Sequence, residues 1–361
     1  MAASHDVTAS ATTGTSDVSL DPTGDVAAAE GKAATGLGPW KLGWRRLKRD
    51  KPALFFGAVF LVLVLACVVL APIWSNSIAD RGPNDQPGSS ETVTVDGEEV
   101  GIIGAFDSAN PGVPVGPTWG SEYFLGADSG GRDVMVRLLY GGRNSLMIGI
   151  LAALVTTILG VALGIAAGFL RGAADTIISR LLDVIWAFPV ILLGVALGTA
   201  LAVDGLQLGP LVIAGGSLAI PVFIIAIVYI PYLARPIRGQ VLALRETEFV
   251  EAARAQGMGS GRIMLREILP NVLSTILVFF PLLIANAILL EAALSFLGAG
   301  IQPPNPSWGS MIDDGVDRVA TAPYLAIVPG AMLVLTVLSL NIFGDGVRDA
   351  LDPRAKVRLD H

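Results

Sequence analysis

The sequence predicts an all-α polytopic membrane protein of about six transmembrane helices, with a small extracellular insertion that contains a β-hairpin. Three observations carry that prediction. Hydrophobic residues fill 53% of the 361 positions and charged residues only 15%, which is more apolar surface than one soluble core of this length needs. The apolar residues gather into charge-free runs near the ~20 residues that a helix needs to cross a hydrocarbon core ~30 Å thick. Lys and Arg then collect on alternate connections, as their retention on the cytoplasmic side requires.

The runs fall, in order, at residues 53–78, 145–170, 184–203, 205–234, 271–290 and 320–344. The fourth is too long for one straight span, so Gly209-Pro210 marks its outer start and Pro231 its inner end. With the N-terminus inside, Lys41, Arg45, Arg46, Lys48, Arg49, Lys51, Arg171, Arg180, Arg235, Arg238, Arg245, Arg254, Arg262, Arg266, Arg348, Arg354, Lys356 and Arg358 are cytoplasmic, and the outside keeps only Arg81, Arg132, Arg137, Arg143 and Arg318. Asp80, Asp85, Glu91, Asp96, Glu98, Glu99, Asp107, Asp313, Asp314 and Asp317 then fall outside and account for much of the net charge of −7. Both termini are expected in the cytoplasm of a cell that carries the protein in its plasma or inner membrane.

Residues 1–36 are Ala, Thr, Ser, Gly and Asp with almost no large apolar side chain, and predict a disordered cytoplasmic tail. A basic segment at 37–52 leads into the first helix at 53–78. The outer segment, 79–144, contains Val93-Thr94-Val95-Asp96-Gly97-Glu98-Glu99-Val100, whose alternation around Asp-Gly predicts a β-hairpin. Residues 145–345 form a core of five further helices with a long cytoplasmic loop at 235–270, and 346–361 form a C-terminal tail.

Composition also excludes chemistry. His5 and His361 are the only histidines and Cys67 the only cysteine, which leaves nothing for a triad, a His-based metal centre or a disulfide framework. Cys67 among Val and Leu reads as a small hydrophobe. Gly126 to Arg132 brushes the phosphate-loop pattern, but Arg stands for Lys and Asp for Ser or Thr. The chain is therefore expected to hold no ATP-hydrolysing site of its own, and neither a cofactor nor nucleic acid is expected here. A secondary transporter would need ion-coupling groups at mid-membrane, and a membrane-embedded enzyme convergent titratable groups; neither is evident.

The loop at 235–270 is the informative segment. It reads Glu251-Ala252-Ala253-Arg254-Ala255-Gln256-Gly257-Met258-Gly259 and later Ile268-Leu269-Pro270. That predicts a thin helix of good formers, a turn at Gly257, a second short helix, and a Pro at the mouth of the next span. A connection of this length between two spans is usually functional.

These residues resemble the cytoplasmic EAA loop of ABC importer permeases, with Glu251, Ala252, Ala253, Gly257, Leu269 and Pro270 on the family pattern. Ile268 directly before Leu269 matches the dipeptide, oligopeptide and nickel branch. The resemblance extends through Leu125-Gly126-Ala127-Asp128, Gly131-Arg132-Asp133-Val134, Ala187-Phe188-Pro189, Ser295-Phe296-Leu297-Gly298 and Pro306-Ser307-Trp308-Gly309 to the run ending at Arg354. The Gln302-Pro303-Pro304 segment and the N-terminal extension are similar to the C-type permease of a pair. The resemblance implies a type I importer fold and non-catalytic transport of peptides, with nickel or another small solute as the alternative cargo. It also implies three kinds of partner besides lipid: a homologous B-type permease, two ATP-binding subunits that use ATP and Mg, and an extracellular substrate-binding protein.

Residue by residue, Glu251, Ala252, Ala253, Arg254, Gln256, Gly257 and Met258 would form the coupling helix held by the ATPase. Asn286 and Glu291 are candidates for the translocation path, with helix packing the other reading of Glu291. Trp308 is a candidate for the binding-protein dock, with an interfacial aromatic anchor as the equal reading. Asp183 is expected to act as a cap or to meet an Arg. Arg235, Arg238 and Arg245 are topology determinants first.

Overall fold

The computed structural model describes residues 39–351 apart from 87–90, 96, 103–112, 121 and 210. The tail expected at 1–36 and the last ten residues lie outside the described residues. An amphipathic helix α1 (Pro39–Leu47) precedes the first long helix, α2 (Lys51–Ser77). Asp50 caps α2 by accepting the Ala53 N–H at 3.0 Å, with Pro52 in the first turn, where a missing N–H costs nothing. A π-helical turn at Ala66–Leu70 precedes Pro72.

The hairpin read from Asp-Gly is present as β1 (Thr92–Val95) and β2 (Glu98–Gly101), with Val95 opposite Glu98. Val93, Ile102, Val115, Tyr123 and Ala127 bury together beneath it. The helix expected at 145–170 begins earlier, as α3 (Val134–Leu170), because Asp133 accepts the Val136 N–H at 3.0 Å and sets its start.

The third span departs from expectation. Residues 184–203 do not form one helix; α4 (Gly172–Trp186) and α5 (Val190–Asp204) meet at 87°. Pro189 disfavours helical backbone at Phe188 and stands as the residue before α5. With 15 residues, α5 reaches only about 22 Å. Among the described residues five helices are therefore long and apolar enough to cross a membrane, or six if the bent pair is one span.

The fourth span is corrected as well. A second hairpin, β3 (Leu206–Leu208) with β4 (Leu211–Ile213), occupies the start of that run. Helix α6 (Ala219–Leu244) then continues through Pro231 and Pro236. Arg235 and Arg238 consequently lie on a helix and not in the loop, which shrinks to a short helix α7 (Glu248–Ala255) and its flanks. The expected second short helix is the first turn of α8 (Ser260–Phe296), which is continuous through Leu269 and Pro270. A π turn at Met264–Ile268 absorbs the proline. The last two described helices are α9 (Trp308–Val316) and α10 (Tyr324–Leu351), the latter running past residue 345.

The central seam joins α3 to α6. Gly160, Gly164 and Gly168 recur every four residues on α3, and a Cβ at Gly164 would lie 2.7 Å from the Ala234 carbonyl oxygen. Small residues let two backbones approach this closely where lipid supplies no hydrophobic drive. The Thr156 hydroxyl donates across the same seam to the Ala226 carbonyl at 3.2 Å. One end of the bundle gathers Arg171, Arg235, Arg238, Arg245, Arg254, Arg262 and α1, and is called the basic end here. The other carries the first hairpin, Asp128, Asp313 and Asp314, and is the acidic end.

Candidate functional site

At the basic end, α7 projects from the bundle between α6 and α8. Thr247 starts it: the Val250 and Glu251 N–H groups donate to the Thr247 carbonyl. Gly257 stops it. The Met258 N–H reaches the Ala253 carbonyl at 3.1 Å and the Gly257 N–H the Arg254 carbonyl at 2.9 Å, the paired bonds of a Schellman cap. Gly257 has φ +77, a conformation that a side chain resists.

The helix has two faces. Val250 and Ala253 are buried and Met258 packs on the main core. Glu248, Phe249, Glu251, Ala252, Arg254, Ala255 and Gln256 are exposed. The predicted coupling group therefore divides, with Ala253 and Met258 fixing the helix and Glu251, Ala252, Arg254, Gln256 and Gly257 presented outward. Two cations strap α7 to the end of α3. The Arg254 guanidinium lies 5.3 Å from the Phe169 ring centre and that of Arg245 6.0 Å, while Arg245 also donates to the Phe169 carbonyl at 2.6 Å. Glu246 pairs with Arg171 at 2.9 Å and Arg245 at 3.3 Å.

Sequence reasoning missed two apolar members of this end, Phe249 and Leu265, which are 38% and 67% exposed. A Phe and a Leu among the charged residues of a short connection were the available signal. Asp183 does meet an Arg: Arg235 lies 2.8 Å away, its guanidinium over the Trp186 ring at 4.3 Å.

The other expectations are revised by burial. Trp308 is fully buried, so it forms neither a dock nor an interfacial anchor. Its backbone N–H donates to the Ser145 hydroxyl at 3.3 Å and its indole N–H to the Leu138 carbonyl at 3.1 Å. Glu291 is also fully buried, accepting from the Ser295 hydroxyl at 2.7 Å. It sits inside the packing and not on a path. Asn286, on a different face of α8, is half-exposed.

The segment that brushed the phosphate-loop pattern is a structural joint. The Asp128 carboxylate accepts the Gly130 and Arg132 N–H groups at 2.8 and 3.0 Å, the donors a phosphate would need. It also pairs with Arg132 at 2.7 Å and Arg137 at 3.2 Å. Asp133 additionally accepts the Tyr123 N–H at 3.0 Å, and burial pushes its carboxyl above the usual carboxylate range against these hydrogen bonds.

Comparison with known proteins agrees with this layout. Residues 160–357 match the family described as binding-protein-dependent transport system inner membrane component, and residues 38–87 the N-terminal TM domain of oligopeptide transport permease C. The dipeptide transport system permease protein of Alkalihalophilus pseudofirmus is 36% identical over 89% of this chain and 92% of its own. The glutathione transport system permease protein of Pectobacterium atrosepticum is 38% identical over 88% and 92%. A chain of the inward-facing MetNI methionine ABC transporter aligns with 60% of this chain and 97% of its own at 18% identity and a TM-score of 0.49, too weak a likeness to decide anything. With one family matched over more than half of its length and relatives matched almost end to end, the chain belongs to the inner membrane components of binding-protein-dependent transport systems, the non-catalytic permease subunits of ABC importers.

Proposed function

We propose that this permease carries peptides. It forms the path together with a homologous B-type permease, takes cargo from a substrate-binding protein at the acidic end, and is driven by two ATP-binding subunits at the basic end. The peptide reading rests on the dipeptide and glutathione systems to which the similar permeases belong. The basic end is cytoplasmic because Lys and Arg are retained there.

The observation that carries the coupling role is the construction of α7. Its outer face is free within the chain, its inner face is locked into the core, and Gly257 closes it. A force applied to Glu251 or Phe249 passes through Val250 and Ala253 into the core and through Arg254 and Arg245 to the end of α3. Packed elements of this kind move as units between discrete arrangements. ATP and Mg act on the partner subunits.

The test is uptake of a labelled dipeptide into proteoliposomes that hold the permease with its cognate partners. Uptake should require ATP, the binding protein and both permeases, and the permease alone should not hydrolyse ATP. Dipeptide uptake that persists without ATP, or hydrolysis by the pure permease, would overturn the proposal.

A further inference from the structure

Along the groove where α6 and α8 run antiparallel, polar and aromatic side chains meet in successive rungs. Nearest the basic end, the Gln240 side chain donates to the Asn271 carbonyl at 3.4 Å and accepts from the Thr275 hydroxyl at 2.7 Å. Next, the Tyr232 and Phe279 rings meet edge-on at 5.7 Å, with Tyr229 6.2 Å beyond Tyr232. Deepest, the Tyr229 hydroxyl donates to the Asn286 carbonyl at 3.3 Å. Tyr229, Tyr232 and Gln240 share one face of α6, and Asn271, Thr275, Phe279 and Asn286 one face of α8. The rungs extend over on the order of 20 Å of helix.

Their exposure sets them apart. Asn271 is exposed and the other six are half-exposed, so the row is open along one flank. Among the described residues the Asn286 side-chain amide makes no hydrogen bond of its own. Elsewhere the exposed spans present Leu61 and Val62 on α2, Ile158 on α3, Leu192 on α5 and Val334 and Leu338 on α10, side chains suited to lipid. Hydroxyl and amide groups turned toward acyl chains cost free energy, so a row of them needs water, cargo or protein alongside.

We propose that the open flank of the α6–α8 seam is a wall of the translocation path and that it contacts the peptide backbone of the cargo. This rests on the importer reading above and deepens it. The rungs carry neutral amides, hydroxyls and rings. Amides and hydroxyls exchange hydrogen bonds with peptide groups of any sequence, and rings accept apolar side chains. No rung bears a fixed charge to trap a peptide terminus. Nor does one bear the imidazole, thiolate or carboxylate that a nickel ion selects.

The test uses the assembled complex in membrane vesicles, with the permease carrying Cys67→Ala and one new cysteine: Tyr232→Cys, Thr275→Cys or Asn286→Cys on the seam, Ile158→Cys or Val334→Cys as lipid-facing controls. If Cys67→Ala assembles poorly, Cys67 is kept, since it is fully buried. The probe is a membrane-impermeant cationic methanethiosulfonate, compared with lipid-soluble N-ethylmaleimide. The charged reagent should modify the seam positions at least ~10-fold faster than the controls, because it does not enter hydrocarbon. A transported dipeptide with ATP and the binding protein should change those rates. Modification by the maleimide alone would mean the seam faces lipid, and protection from both reagents would mean it packs against the second permease. Either result overturns the proposal, while dipeptide uptake by the unmodified complex tests the importer reading separately.

Discussion

The Trp308 indole fills the space beside Cys67 and Gly142 and donates to the Leu138 carbonyl, so α9 is fastened to α3 by a side chain that sees no solvent. Trp308→Ala should therefore destabilise the permease by about 3–5 kcal/mol, as deletion of a buried ring does. Yield of the assembled complex should fall, while affinity for the binding protein, measured per assembled complex, should be unchanged. A selective loss of binding-protein affinity with normal yield would put Trp308 at the dock after all. Asp133 offers a second test. Burial raises its carboxyl pKa, so the fold holds that proton more tightly than the unfolded chain. Its contribution is greatest below the unfolded pKa and is lost as pH rises through the folded one. The two carboxylate oxygens accept one buried N–H each, from Tyr123 and Val136, and Asn can replace only one of them. Asp133→Asn should therefore melt below wild type at neutral pH, and Asp133→Ala, which loses the cap as well, lower by about 1 kcal/mol more. An Asn variant as stable as wild type would show that the second acceptor oxygen is dispensable.

Elements differ in how far the sequence reveals them. The first hairpin was legible because Asp96-Gly97 stands between alternating residues, and α7 because Gly257 punctuates a run of helix formers. The α4–α5 bend and β3–β4 were hidden for one reason: residues 184–213 are apolar except for Thr199, Asp204 and Gln207, and hydropathy does not distinguish helix, bend and strand. Pro231 does not end its span, since it lies within a helix as Pro236 and Pro270 do, and the break falls instead at Pro189, which the apolar pattern does not mark. For Glu291 the packing reading fits its burial and the path reading does not, and Trp308 is buried where an exposed ring was expected, because composition does not say which neighbour a helix face meets. At this scale orientation is the testable point. In protoplasts, added protease should cut between residues 80 and 133 and spare the loop at 245–259. Cleavage at Arg254 from outside would invert the topology.

At the scale of the whole molecule, the fold sets an exposed, glycine-closed helix at one end and a hairpin-bearing cap at the other, joined by long helices. Helix α7 meets the bundle through Phe169 on α3 and through Val250 and Ala253 in the core, the contacts through which the proposed coupling would act. The acidic-end joint of Asp128, Arg132 and Arg137 holds the far end of α3. A rigid α3 would let the two ends respond together. The direct measurement is ATP turnover and dipeptide uptake by the reconstituted complex with Gly257→Val or Glu251→Lys, with subunit retention followed by pull-down. A Cβ at Gly257 meets nothing within 4 Å, so Val acts through the positive φ alone, and the bundle and its pairing with the second permease should survive. Transport-linked hydrolysis or ATPase retention should drop at least ~10-fold, the loss expected when about 1.4 kcal/mol of coupling is removed. Wild-type uptake, stimulation and retention in both variants would contradict the coupling role of α7.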